Sequence, residues 1–388
     1  MSERVPLQGL PLLVYKLRTE GLSWLTRRVQ DEIRMPRTAL GQQLFRAARV
    51  LAAAHGRRRG VGTGPPDTLY AFYDLGVAPV SYDFLWFLVA AEVARLRSGF
   101  ASIHVVIVPG PHGGLRRERA DLEQTINAEA RRARIDSMLL PACSLLPSVS
   151  GTTLASGREE AASLVAMADE AVFPARYEPT LPSYPGPKDS LEAAREQQAE
   201  IGLLRATASN LQAVRTWLTA HRCTGQVVAI TLRGYGYTPE RNSNIQAWAA
   251  FARGLDARFS PVIVPDTAQV FAGIPDEFTG LPIFPEAAVA VGLRMALYEH
   301  AFLNLGVNNG PMGLCWLNRR TRYLTFKMLS DAAQQTRADY MEFLGFELGK
   351  SLPFATPRQR WIWEDDTLEV IEREFAKMVA SIDDDLAA

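Results

Sequence analysis

Four short stretches carry residues whose types and spacing could do chemistry. In TLRGYGYTPERNSNIQAW, residues 231–248, Arg233 ends an apolar run, and a Gly-Tyr-Gly-Tyr loop leads to Arg241 and Asn242 just ahead of a helical pattern. Two guanidiniums there could make paired bonds to a diphosphate, and the first helical amides add donors. Tyr235 and Asn244 belong to the same candidate binding set. The competing reading caps the helix with Asn242 or Ser243 and leaves both arginines in solvent, but the clustering at one strand end favours binding. In LGVNNGPMG, residues 305–313, Gly306 and Gly310 permit close backbone approach, Pro311 suits a first helical turn, and Asn308 or Asn309 could bond a sugar or ribose hydroxyl. A plain Asn-Gly turn is the alternative there.

The other two stretches hold groups that could move a proton. YDLGVAPVSYDF, residues 73–84, offers Asp74 and Asp83 as carboxylates for general-base work, with Gly76 in the turn between them. Asp83 could equally do no more than cap the next helix. VPGPHGG, residues 108–114, sets His112 in a loop after an apolar run, as a base or as a plain surface histidine. His104, within the run itself, reads as structural. Asp266 in VPDT occupies a similar strand end.

Several chemistries fail on spacing. The sequence has no GxxxxGK[ST], no HExxH, no GxSxG and no GxGxxG, which disfavours P-loop NTPases, zincins, α/β-hydrolases and nicotinamide Rossmann enzymes. It also lacks a DxD pair at a strand end of the kind that holds a divalent metal on a diphosphate. The expected site uses no metal and no cofactor. Cys143, Cys223 and Cys315 are too scattered for a disulfide framework or a structural zinc, which fits a reducing, cytoplasmic setting.

The elements that must position these residues alternate along the chain. TLYAFYD, IHVVIVPG, SMLLPA and EAVFPA read as short strands, with helices over about 82–97 and 118–134 between them. After residues 177–189, which hold Pro179, Pro182, Pro185 and Pro187 and read as an extended connector, and a polar helical stretch over 190–221, the alternation resumes. QVVAITLR, PVIVPD, FLNLGV and RYLTFK are the strands of this second half, and about 365–382 forms an amphipathic closing helix. Such alternation predicts parallel sheets with crossover helices, in which ligands sit at the carboxyl ends of strands.

The 388 residues exceed what one hydrophobic core usually serves. The predicted organisation is a helical extension over 1–60, Rossmann-like halves over 61–180 and 223–363, a linker and connecting helix over 181–222, and an acidic helix over 364–388. Forty-two basic and 42 acidic residues cancel, giving no reason to expect nucleic acid. The basic amphipathic start, residues 1–55, could lie on the inner face of a membrane, although a solvated helix face is the plainer reading. No apolar run is long enough to span one, and no secretory leader pattern opens the chain.

With these motifs in place, the chain resembles GT-B glycosyltransferases, two Rossmann-like domains facing across a cleft, and within them the inverting fucosyltransferase-like and heptosyltransferase-like families. In those, the second domain opens with a strand ending in Arg, the place of Arg233, and a later Gly-rich turn, here Asn309, Gly310 and Pro311, holds the donor diphosphate. Asp266 matches the acidic residue after the intervening strand. TLRGYG lacks the usual His before a double Arg, and Asn309 stands where heptosyltransferases carry Ser or Thr. The motif likeness covers residues 226–327.

The resemblance implies a nucleotide-sugar donor bound by the second half and a glycan or lipid-linked acceptor of the cell envelope bound by the first. The implied reaction is an inverting, metal-independent transfer. A sugar-nucleotide epimerase or hydrolase, or a non-enzymatic binding protein of the same shape, are the alternatives.

Overall fold

Thr68–Asp74 is buried at every position, as a strand must be when helices cover both faces of its sheet. It is β1 of a computed structural model that describes residues 64–65, 67–118, 120–197, 201–333 and 336–387, with two isolated helical positions, Gln43 and Ala47. Apart from those two, the helical extension over 1–60 and the membrane contact assigned to 1–55 lie outside the described residues.

β1 pairs in parallel with β2 (Ser102–Val108) on one side and β4 (Val172–Phe173) on the other, and β2 pairs with β3 (Val149–Leu154), giving the order β3-β2-β1-β4. The crossovers carry α1 (Phe84–Ser98), α2 (Ala120–Thr125), α3 (Ala128–Arg134), α4 (Leu140–Cys143) and α5 (Arg158–Ala168). The helix expected over 118–134 is broken at Asn127, whose side chain caps α3 by accepting from the Ala130 amide at 2.9 Å. SMLLPA is not a strand. It lies in a π-helical turn, Ile135–Leu139, that runs into α4, and Leu139, Ala142 and Cys143 are buried. A short apolar run reads alike as buried strand or buried helix. The true third strand, VSGTTL, has one neighbour only and alternates between half-buried and exposed positions, so it lacks an apolar signature.

The Pro-rich stretch does not run free between the halves. Tyr177 is buried and stacks on Phe72 at 4.6 Å, and Tyr184 meets Tyr73 edge-on at 5.9 Å. α6 (Pro187–Gln197) then packs on α1, where the Ser190 hydroxyl donates to the Trp86 carbonyl at 3.0 Å. Aromatic rings at these positions bury against the first sheet, which an unanchored polyproline linker could not do.

After α7 (Ala208–Ala220) the second sheet forms from β5 (Gln226–Thr231), β6 (Phe259–Val264), β7 (Leu303–Val307), β8 (Tyr323–Phe326) and β9 (Gln359–Trp361). All pairs are parallel and the order is β6-β5-β7-β8-β9. β9, three residues long, has no counterpart in the sequence reading. The helices are α8 (Ile245–Gly254), α9 (Thr267–Ala272), α10 (Pro285–Val289), α11 (Val291–His300), α12 (Gly313–Trp316), α13 (Ala338–Phe343) and α14 (Leu368–Ala387). α14 buries Ile371, Phe375, Met378 and Ile382 in a core shared with α8 and the β5, β7 and β8 side chains of one sheet face.

The two sheets share no hydrogen bonds, yet one buried apolar cluster runs through both. Each is an α/β half whose chain reverses direction once. In the first, strand order steps outward from β1 to β3 and returns at β4. In the second it leaves β5 for β6 and returns at β7. At such a reversal the flanking loops diverge and leave a crevice above the carboxyl ends, between β1 and β4 and between β5 and β7.

Candidate functional site

The β5/β7 crevice is built from the two motifs that the sequence singled out. Arg233, two residues beyond β5, is 5% exposed, and its guanidinium folds back on its own loop. Nη1 donates to the Thr238 carbonyl at 3.0 Å and to Asn242 Oδ1, and Nη2 to the Tyr237 carbonyl at 2.6 Å and the Thr238 hydroxyl at 3.2 Å. Asn242 closes the loop further, accepting from the Tyr235 amide and donating to the Tyr235 carbonyl, both at 3.1 Å. The Ser243 hydroxyl accepts from the Arg233 amide at 2.9 Å. Arg233 is therefore the post around which residues 234–242 fold. This corrects the expectation of a side chain presented whole to a ligand, because both terminal nitrogens are engaged by the loop while the charge remains.

Across the crevice, β7 ends at Val307. The Asn308 side chain donates to the Met328 carbonyl at 2.9 Å, and Asn309 Oδ1 accepts from the Met312 amide at 3.1 Å. Asn309 Nδ2 is buried without a hydrogen-bond partner. Gly310–Met312 is a single 3-10 turn with Pro311 inside it, as the sequence predicts. Gly306 has a different reason from the one expected. A β-carbon there would lie 2.9 Å from the Thr231 carbonyl oxygen and 3.2 Å from Met312 Sδ, so glycine admits the neighbouring strand, not a ligand.

The two lips are joined. Arg241 Nη2 donates to the Asn308 carbonyl at 3.1 Å, and Lys327, just past β8, donates to the Asn242 carbonyl at 3.3 Å. Lys327 holds φ at 55°, a left-handed backbone that costs a non-glycine residue free energy and collects at functional sites. It also lies 3.8 Å from the buried Asp366, which accepts from Trp248 Nε1 at 2.8 Å and from the Asn244 amide at 2.7 Å.

Two further candidates turn out to be helix caps. Asn244 Oδ1 accepts from the Ala247 amide at 3.2 Å, opening α8, so Asn244 rather than Asn242 or Ser243 is the cap. Asp266 makes a capping box with Gln269 at the start of α9 and accepts from the Gly234 amide at 3.2 Å. Its carboxylate shapes the Arg233 loop, and the D-x-x-Q spacing was a readable signal for that.

Charge in the crevice is unbalanced. Burial lowers the Arg233 pKa, and burial together with the adjacent Arg233 charge brings Arg241 down to about 10. No carboxylate pairs with either among the described residues, and Asp266 acts on Arg233 only at a distance. Beneath them Arg294, 1% exposed, donates to the carbonyls of Ala287 at 2.7 Å and Ala288 at 3.0 Å. Sequence reading passed over Arg294, Lys327 and Asp366, since none sits in a motif and only the packing of β8, α11 and α14 brings them here.

The first half faces this crevice. The Tyr82 ring lies against Gly310, where an added β-carbon would come within 3.0 Å of Cδ2, and Leu85 against Gly313. Asp83 follows Tyr82 at the start of α1, but its side chain makes no capping bond and accepts instead from the Ser81 hydroxyl at 3.0 Å. Asp83 is exposed to solvent, yet desolvation by the groups around it raises its pKa, with Ser81 and Arg116 opposing. Asp74 is the opposite case. At 1% exposure it accepts from Arg158 Nη2 at 2.8 Å, from the Tyr177 hydroxyl at 2.5 Å and from the Gly76 amide at 2.8 Å. It is an anchor with its oxygens filled, not a base facing the cleft. His112 is an exposed loop residue in a small turn with Leu115.

No protein-family model and no curated protein matches the sequence. Solved structures resemble it. The glycosyl transferase family 9 protein from Veillonella parvula DSM 2008 superposes with a TM-score of 0.49 at 11% identity, over 82% of this chain and 90% of its own. The E. coli ADP-heptose lps heptosyltransferase II gives 0.43 at 10% identity, over 81% and 99%. Fucosyltransferase NodZ from Bradyrhizobium gives 0.29 at 10%, over 66% and 94%. Such likeness is one of fold, and function has to be argued from the site.

That site is cationic and built of guanidiniums, amides and one exposed carboxylate. Among the described residues, no group of three or more His, Cys, Asp or Glu side chains is placed to share a metal ion, and no helix is long and apolar enough to cross a membrane.

Proposed function

We propose that the chain is a glycosyltransferase that moves a sugar from a nucleoside-diphosphate donor to a hydroxyl of a glycan or lipid-linked acceptor. One observation carries the reading: two adjacent guanidiniums, Arg233 and Arg241, sit at the β5/β7 reversal with no carboxylate paired to either among the described residues. Holding desolvated charge without a partner is costly. A diphosphate supplies the missing negative charge, and Arg241, which gives one of its five donors to Asn308, keeps others for it.

Each residue then has a role. Arg241 binds the diphosphate oxygens, while Arg233 shapes the loop and adds its field. Asn309 Nδ2, buried and unpartnered, offers a donor to a sugar or phosphate oxygen. Asp83, ionised, takes the proton of the acceptor hydroxyl as that oxygen attacks the anomeric carbon. The bond from this carbon to the diphosphate oxygen breaks, and its electron pair leaves with the diphosphate, whose charge the arginines stabilise. A single displacement inverts the anomeric centre. In this scheme the cations are the chain's own, so transfer proceeds without a metal.

The test begins with thermal melting of the full chain against nucleoside diphosphates and their sugars, since a ligand that binds only the folded state raises the melting temperature. A stabilising nucleotide whose effect is lost in Arg241→Gln is the expected result, followed by transfer that requires an added acceptor. If no nucleotide stabilises the protein, the reading falls. Conversion of the donor without any acceptor would replace transfer by epimerisation or hydrolysis.

A further inference from the structure

Tyr235 stands where the first half comes up to the Arg233 loop. Its ring lies 5.9 Å from the Arg233 guanidinium, and its hydroxyl is buried beside the side chain of Arg134, the last residue of α3. The next residue, Gly236, approaches Thr125 at the end of α2, where an added β-carbon would sit 3.9 Å from Cγ2. So the α2–α3 segment forms the opposite wall of the crevice at this level.

The other two arginines of α3 have partners, and so does Arg116 ahead of α2. Arg116 pairs with Glu118 at 2.7 Å, Arg131 pairs with Glu123, and Arg132 donates to the Gly113 carbonyl at 3.1 Å. Arg134 has no ion pair among the described residues, and the other charges around Tyr235 are Asp266 and Arg233, with Arg241 next to Arg233. Asp266 is committed to the Gly234 amide and the cap of α9, so the guanidiniums of Arg134 and Arg233 still repel, and an anion between them turns the repulsion into charge-assisted hydrogen bonding.

We propose that Arg134 is a binding residue for the donor diphosphate, supplied across the cleft by the first half. The inference rests on reading the β5/β7 crevice as a nucleoside-diphosphate site. It makes that site shared between the halves, where the sequence motifs assigned the donor to the second half alone.

The experiment is calorimetric titration of a nucleoside diphosphate into the full chain and into Arg134→Gln, Arg134→Lys and Arg241→Gln, with melting curves to show that each is folded. Arg134→Gln is expected to weaken the nucleotide about tenfold, Arg134→Lys to recover part of the loss, and Arg241→Gln to weaken it independently. Unchanged nucleotide affinity in folded Arg134→Gln, beside a loss in Arg241→Gln, overturns the role of Arg134 and leaves the crevice intact. A rise only in the acceptor KM would likewise move Arg134 out of the donor site. Absence of nucleotide binding by the parent protein removes the crevice reading itself, and this proposal with it.

Discussion

The Arg241 guanidinium donates to the Asn308 carbonyl at 3.1 Å, and that bond ties the loop after β5 to the turn after β7. The two segments are 67 positions apart along the chain. They meet because β5 and β7 are hydrogen-bonded neighbours, Thr231 opposite Gly306, so both strands end at the same height. A cation and a row of backbone groups are thereby held together at the point where the sheet reverses.

The first prediction concerns pH. The Arg241 pKa is lowered to about 10, chiefly by burial and then by Arg233, so its proton is held less tightly than that of an ordinary arginine. Anion binding needs the charged form. Affinity for a nucleoside diphosphate, whose phosphates are fully ionised from about pH 8 upward, should be flat from there and fall as pH rises through about 10. Calorimetry over a pH series measures it, and a fall of the same size in Arg241→Gln would show that another group is responsible.

Asp83 should govern the acid limb of turnover. Its pKa is raised by desolvation, and a base works only when ionised, so kcat/KM should drop as pH falls, with a midpoint higher than that of an ordinary aspartate. Asp83→Asn is expected to lower turnover by about 10²–10⁴, to erase that limb, and to leave nucleotide affinity as it was. A variant that keeps its rate and pH profile would take the role of base away from Asp83.

Asp74 should prove structural. Asp74→Asn removes the charge that holds Arg158 and weakens the bond from Tyr177. Loss of a buried pair costs about 3–5 kcal/mol, and the partial exposure of Arg158 puts this one near the lower end. Chemical denaturation should show that loss while the folded variant binds nucleotide normally. Full stability together with lost catalysis would restore Asp74 as the base.

Much of the fold was legible because buried parallel strands announce themselves. TLYAFYD, QVVAITLR and PVIVPD have apolar middles bounded by polar or turn residues, and each became a strand within a residue or two of its expected span. VSGTTL and the three-residue β9 were not legible, since a strand at a sheet edge needs neither a continuous apolar run nor many residues. The candidate site divides in the same way. Arg233, Arg241 and the 308–311 turn could be picked out as strand-end clusters. Whether a polar group there serves a ligand or the protein is a question of partners, and those are fixed only when the loop folds, as at Arg233, or when distant segments meet, as between Arg241 and Asn308.

By itself, then, the sequence determined the alternation of strands and helices, the two α/β halves and the stretches that lie at carboxyl ends, because periodicity and strand-end chemistry are local. Only the tertiary structure decided that Asp74 is filled by Arg158 and Tyr177, and that Lys327, Arg294 and Asp366 underlie the crevice. Hydrogen bonds that span from 4 residues, at Arg233, to 118, between Trp248 and Asp366, set which groups are spent and which remain, and only the folded chain can balance them.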